Sequence, residues 1–317
     1  MIVASLLRET KSTLFSFELL PPLKGDHISA IYDTIDPLME FKPSYINVTY
    51  HREELVYKQR PDGLLEPRRV RKRPGTVGIT AAIMHKYKVE VVPHMICAGF
   101  NREETENALI DLHFLGVNNL LVLRGDADKT NRRFTSEPDG HEHASGLLQQ
   151  VMKMNSGRYL DEDMEYQTPT SFSVGVAGYP EKHAEAPNLQ FDLKHLKEKV
   201  DNGAEYIVTQ MFFDNSRYFD FVKRCREAGI RVPIVPGLKP VSVKNHLHIL
   251  PDTFHVDIPD ALAKQVVAAK DNQAVRRIGI EWAIEQVREL KAAGVPSIHF
   301  YTMGKSDNIR EIVYRGF

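Results

Sequence analysis

The chain has 317 residues, of which 42% are hydrophobic and 26% charged, and its formal net charge is −1. This is an ordinary globular composition, with room for one large α/β barrel or two ordinary domains. The near-zero charge gives no global reason to expect nucleic acid or an anionic membrane as partner.

Short apolar runs alternate with longer amphipathic segments along the whole chain. The first run, Thr13 to Phe17, reads as a buried strand inside FSFELLPP. It delivers one carboxylate, Glu18, and the Pro21-Pro22 pair then stops the ladder. His27 to Phe41 carries Ile28, Ile31, Ile35, Leu38 and Met39 at helical spacing. Tyr45 to Tyr50 is a β-branched and aromatic strand. Thr76 to Lys88 reads as a helix and Glu90 to Cys97 as the third strand. Asn101, with Glu104 three residues on, opens the next helix as a capping box, and Gly116 closes it. Asn119 to Leu123 is the fourth strand and ends on Arg124-Gly125-Asp126.

A helix follows near Ala144 to Met154, then a fifth strand at Ser171 to Ala177. Phe191 to Asn202 is an amphipathic helix with Gly203 as its stop. Tyr206 to Phe212 is the sixth strand, Ser216 to Ala228 a helix, and Pro233 to Leu238 the seventh strand. A long helical region from about Pro259 to Ala293 breaks near Asp271-Asn272. Ile298 to Thr302 is the eighth strand and Asn308 to Tyr314 the last helix.

Repeated βα units with near-continuous apolar strands predict a parallel sheet covered on both faces, and eight of them close as a (β/α)8 TIM barrel. An open doubly wound sheet is the alternative, but no GxGxxG follows the first strand. A single domain, residues 1–317, is expected. Two stretches depart from the repeat. Residues 52–75 are long and polar with a turn signal at Pro61-Asp62-Gly63, an insertion or hairpin on the rim. Residues 153–170 are acidic and loop-like.

Cys97 and Cys225 form no CxxC pair and cannot build a disulfide framework. The opening MIVASLLRET is too short and too soon charged for a secretory signal. No apolar run approaches the roughly 20 residues of a membrane span. A cytoplasmic protein is expected.

In such a barrel the active site lies at the C-terminal ends of the strands. Those ends carry Glu18, Thr49 and Tyr50, His94, Arg124 with Gly125 and Asp126, Tyr179 with Glu181 and His183, Gln210, Lys239 and Tyr301. A purely structural barrel has no need of so many donors, acceptors and titrating groups in one place. Each has a plainer reading. Glu18 could cap the next helix or pair with Lys24, His94 could be a core histidine, and Arg124 could pair with Asp126. Gln210 offers a donor and an acceptor suited to a heterocycle, or a bond to the next strand. Lys199 and His195 share a helix face (i, i+4) and can reach a phosphate, or stay solvated. His141-Glu142-His143 has no third ligand at helical spacing, and no metal is expected. Arg68 to Arg73 is a basic run on the rim.

The ordered set FSFELLPP, YINVTY, VVPHMIC, LVLRGD, VAGYPEKH, FDLKHLKEKVDNGA, VTQMFFD, PGLKP and HFYTM resembles the methylenetetrahydrofolate reductase family, flavin enzymes of one-carbon and methionine metabolism. The resemblance covers nearly the whole chain. It implies a barrel with non-covalent FAD and a ping-pong scheme. NADH or NADPH gives hydride to the flavin, and 5,10-methylenetetrahydrofolate then receives it to become 5-methyltetrahydrofolate. By motif, Glu18 matches the family's general acid, and Asp126 the carboxylate that tunes the flavin and stabilises the cationic iminium. Thr49, Tyr50, His94, Arg124, Gly125, Ala144, Tyr179, His183, Asp192, His195 and Lys199 match or stand at positions near FAD. Gln210 matches the residue that meets the pterin and the nicotinamide in turn, and Lys305 stands near an arginine that binds the folate tail. A homo-oligomer is the expected assembly.

The chain departs from that pattern in places. His51-Arg52 begins a long insertion where bacterial members have a short turn. His195 replaces an asparagine, and Lys305 offers a point charge instead of an arginine fork. Lys244 to Leu250 offers no phenylalanine to stack on the folate. The regulatory extension of animal and yeast members is not expected. Two other functions compete: a barrel lyase or aldolase with Lys239 as a Schiff-base lysine, and a non-catalytic folate- or flavin-binding relative.

Overall fold

The structure, a computed structural model, describes residues 1–126 and 134–317. In chain order the elements are α1 (Val3–Glu9), β1 (Leu14–Leu19), α2 (Ser29–Met39), β2 (Tyr45–Val48), β3 (Glu54–Gln59), β4 (Leu65–Val70) and α3 (Thr76–Tyr87). Then come β5 (Glu90–Ile96), α4 (Arg102–Phe114), β6 (Asn119–Leu123), α5 (Ala144–Asn155), β7 (Ser173–Gly178), α6 (Leu189–Asp201), β8 (Tyr206–Met211) and α7 (Asn215–Glu227). The chain continues through β9 (Ile234–Leu238), α8 (His246–Phe254), α9 (Asp260–Ala268), α10 (Asn272–Ala292), β10 (Ser297–Tyr301) and α11 (Asp307–Gly316).

Eight parallel strands close a barrel in the order β1-β10-β9-β8-β7-β6-β5-β2. The strands read as apolar runs because both faces are covered: all of β2 and all of β9 is buried. Alternation along each strand splits the core in two. Phe15, Phe17, Val48, Met95, Val122 and Val176 point outward and pack with Ile35, Ile83, Leu109 and Val151 of the surrounding helices. Tyr45, Val92, Leu121, Tyr206, Val208 and Val235 form a separate cluster with α1, at the opposite end of the barrel from the strand C-termini.

Helix α1 is the floor of the barrel. Val3, Ala4 and Leu7 close the second cluster, and the Val3 N–H donates to Asn119 Oδ1 at 2.8 Å. Leu7 is 3% exposed, and its burial stabilises by about 2 kcal/mol. The sequence reading did not find α1. Seven residues are too few to show a period, and its stability comes from the packing beneath it. It also did not find α8, which carries Pro251 in its interior.

The strands β3 and β4 form an antiparallel hairpin outside the barrel, paired from Glu54↔Val70 to Gln59↔Leu65. The basic run at its base is largely tied up. Arg68 pairs with Glu66, Arg69 with Glu137 and Lys72 with Glu54. Arg73 donates to the Pro21 carbonyl, and the Lys24 N–H donates to the Lys72 carbonyl at 2.7 Å. The hairpin is thereby fastened to the loop that follows β1. Helix α4 starts with both bonds of its capping box, Glu104 N–H to Asn101 Oδ1 at 2.8 Å and Asn101 N–H to Glu104 Oε2 at 2.9 Å. The break before α10 is capped by Asp271, whose Oδ1 accepts from the Ala274 N–H.

Candidate active site

The inward face of β1 carries Ser16 and then Glu18, one layer nearer the C-terminal mouth. Ser16 Oγ lies 3.0 Å from His299 Nδ1. Register places Glu18 beside Tyr301, and Thr302 Oγ1 donates to the Glu18 carbonyl at 2.7 Å. The carboxyl itself receives no hydrogen bond or ion pair among the described residues. Burial pushes its pKa from 4.5 up to about 8; the Lys239 charge pulls the other way, and Asp126 adds to the rise. Glu18 thus holds a proton at neutral pH, and no ion pair with Lys24 forms.

On the neighbouring strand, level with Glu18, Asn47 Nδ2 lies 3.2 Å from His94 Nε2. Burial pushes His94 down to about 3, with His51 adding to the effect. His299 is also pushed to about 3, by burial and then by His94. Both imidazoles are neutral. They and Tyr45, stacked on His299 at 6.4 Å, form a polar layer beneath Glu18.

A second group gathers around Arg124. Its guanidinium makes two hydrogen bonds to Glu185, one of 2.8 Å, and lies over the Phe134 ring at 4.9 Å. Asp126 is therefore not its partner. The Arg124 bond holds the Glu185 carboxyl below its usual range. Tyr179 meets the His183 ring edge-on at 4.8 Å, and burial pushes the phenol up to about 12. The His183 N–H donates to Asp192 Oδ2 at 2.9 Å. Burial, then the Arg124 charge, pushes His183 down. Lys199 Nζ donates to the Ala177 carbonyl at 3.0 Å, and burial lowers it to about 8 against the pull of Asp192. Ala144 is the first residue of α5, whose N-cap residue His143 makes no side-chain cap bond but lies near enough to Glu185 to lower its pKa.

The remaining candidates lie as follows. Thr49 Oγ1 donates to the Leu19 carbonyl at 3.2 Å. The Tyr50 ring packs on Phe100 at 4.8 Å, with Arg71 over it at 5.7 Å. Gln210 Oε1 accepts from the Met211 N–H at 2.9 Å, at the irregularity in the β8–β9 register. His195 turns away from Lys199 and lies 3.0 Å from Glu198 on its own helix. Lys305 is exposed on the loop after β10. His141 lies beside Gln150, and no group of three or more metal-ligating side chains occurs among the described residues. Sequence reasoning missed Asn47, Glu185 and His246. Asn47 was within reach, since it stands two residues before Thr49 on the same strand face; the other two come from loop and helix packing that carries no periodic signal.

The family described as methylenetetrahydrofolate reductase matches residues 3–316. The chain belongs to that family. Among methylenetetrahydrofolate reductases, it is 31% identical to methylenetetrahydrofolate reductase 1 of Schizosaccharomyces pombe over 95% of this chain and 45% of that protein. It is 30% identical to the Escherichia coli 5,10-methylenetetrahydrofolate reductase over 92% of this chain and 86% of that one. The chain thus spans under half the length of the fission-yeast relative. Among solved structures, an uncharacterized protein from Clostridium thermocellum that binds two copies of 5-methyl-5,6,7,8-tetrahydrofolic acid shares the fold, with TM-score 0.60 at 13% identity, over 100% of this chain and 98% of that one. No helix among the described residues is long and apolar enough to cross a membrane.

Within this methylenetetrahydrofolate reductase barrel, the Arg124 group suits a ligand with both phosphate and ring parts. Gly125 has φ +86°, and a Cβ there would come within 3.0 Å of Ala98 Cβ and 3.1 Å of Ile96 Cδ1. The backbone at the strand end therefore stays bare. The α5 N-terminus favours an anion, and Arg124 lies on its side of the group, since both it and the N-cap residue His143 act on Glu185.

Proposed function

We propose that this protein reduces 5,10-methylenetetrahydrofolate to 5-methyltetrahydrofolate, with non-covalent FAD as cofactor and NADH or NADPH as donor, the two reactants taking turns at one site. The observation that carries the reading is Glu18, a carboxyl that keeps its proton near neutrality at the mouth of a barrel of this family. FAD, when bound, supplies the means to accept hydride from the nicotinamide and deliver it to the methylene carbon. The residues that would hold it are Thr49, Tyr50, His94, Arg124, Gly125, Ala144, Tyr179, His183, Asp192 and Lys199, with His195 reaching it on leaving Glu198.

This chain's own side chains then have separate tasks. Glu18 gives its proton to the nitrogen released as the folate's five-membered ring opens; that C–N bond breaks and its electron pair stays on the nitrogen. Asp126, exposed at the end of β6, offers a negative charge to the iminium cation left behind. Gln210 turns its amide to the pterin or the nicotinamide edge. Lys305 offers a point charge to the folate tail.

The visible spectrum of the purified protein under anaerobic conditions tests this. Flavin bands that bleach with NADH or NADPH and return on adding methylenetetrahydrofolate are expected. A colourless protein that takes up no added FAD would sink the reading. It would also promote a second one, favoured by the buried Lys239, whose pKa burial lowers to about 8: a Schiff-base lyase, trapped covalently by borohydride with a carbonyl substrate.

A further inference from the structure

Lys239 follows β9 directly and is only 8% exposed. Register pairs Leu238 with Phe300, and Phe300 with Phe17. The next residue on each strand therefore falls in one layer: Lys239, Tyr301 and Glu18. Leu238 packs outward with the helices, so its neighbours Gly237 and Lys239 face the barrel axis. Gly237 leaves its inward place to a neighbour; a Cβ there would come within 2.6 Å of the Tyr301 ring and 2.4 Å of the Thr209 carbonyl.

No hydrogen bond or ion pair reaches the Lys239 ammonium among the described residues. The stem of the side chain is buried while its ammonium keeps an opening to the barrel mouth, where its charge can act on the neighbouring groups. The titratable groups around it are mostly neutral. His246 on α8 is pushed down to about 4, by burial and then by Lys239, and is neutral. Tyr301 is pushed up by burial and by Glu18, and Tyr179 by burial and by Asp192, so both phenols are neutral. With Glu18 protonated at neutral pH, the charges facing its carboxyl are those of Lys239 and Asp126.

We propose that Lys239 is a positioning residue for the reaction: its ammonium faces the Glu18 carboxyl across the barrel mouth and makes the Glu18 proton transferable. The inference rests on the reading of Glu18 as proton donor. Burial and Asp126 both act to hold that proton on the carboxyl. An acid held that tightly is a poor donor, because transfer leaves a partly desolvated carboxylate near another negative charge. When the O–H bond of Glu18 breaks and the proton passes to the substrate nitrogen, the new carboxylate meets the Lys239 ammonium instead. No proton need leave Lys239.

Infrared difference spectroscopy of the full chain against pH tests this without any turnover. The carboxyl C=O band that disappears in Glu18→Gln reports the Glu18 proton. Lys239→Met and Lys239→Gln both remove the charge, and circular dichroism shows which of them folds. The expected result in a folded variant is a titration midpoint higher by about one pH unit or more. The alkaline limb of the folate half-reaction should move with it, while Lys239→Arg keeps both near the parent. A midpoint that stays put in a folded variant overturns the proposal. A midpoint that moves in a protein with no folate turnover leaves the Glu18–Lys239 relation standing and removes the proposed function. Turnover with an unmoved midpoint does the reverse.

Discussion

Glu18 is an acid by position. The same side chain in water would be ionised at neutral pH; at the end of β1 its partial burial and the Asp126 charge both favour the protonated form. The folate step should therefore fall as pH rises through about 8, where the carboxyl loses its proton. Glu18→Gln should slow that step by about 10²-fold or more relative to the nicotinamide step, measured by anaerobic stopped flow on each half-reaction. Equal loss in both half-reactions would remove Glu18 from proton donation. The residue types at the strand ends were legible in the sequence, because strand ends can be read from apolar runs and proline stops. Their partners were not. Arg124 meets Glu185 rather than Asp126, and His195 meets Glu198, because loop path and helix rotation decide those pairs.

At the scale of elements, the barrel strands were legible for a physical reason. A parallel sheet covered on both faces needs unbroken apolar runs, and such runs have few other uses. The start of α4 was legible from its capping box at Asn101, and the break near Asp271-Asn272 falls where Asp271 caps α10. The caps of α6 and α7 at Asn188 and Asp214 were not read. Helices α1 and α8 were not, since one is seven residues long and the other contains Pro251. The capping box of α4 gives a direct check. Asn101→Ala removes the acceptor for the Glu104 N–H and should cost about 1 kcal/mol, a drop of about 2 °C in the melting temperature. An unchanged melting curve would mean that the first turn of α4 adds nothing to the fold's stability.

For the whole molecule, the neutral imidazoles of the interior set the response to acid. His94 and His299 titrate at about 3 in the fold against an ordinary 6.5. Their contribution is complete above pH 6.5. As pH falls from there to about 3, the unfolded chain takes up protons that the fold refuses, and stability drops by about 1.4 kcal/mol per pH unit for each. Glu18, raised from 4.5 to about 8, runs the other way: its contribution is full below 4.5 and is lost as pH rises to about 8. Melting temperature should therefore fall most steeply below about pH 4.5, where Glu18 no longer offsets the imidazoles. His299→Gln should flatten that slope, and an unaltered slope would mean that His299 is protonated freely in the fold. The floor built by α1 has a further consequence. With Val3, Ala4 and Leu7 sealing one end, the Glu18 layer is entered from the other. Under the proposed function, donor and folate then queue at a single door. An excess of either reactant stands in the way of the next, so turnover should rise and then decline as one is raised at a fixed level of the other.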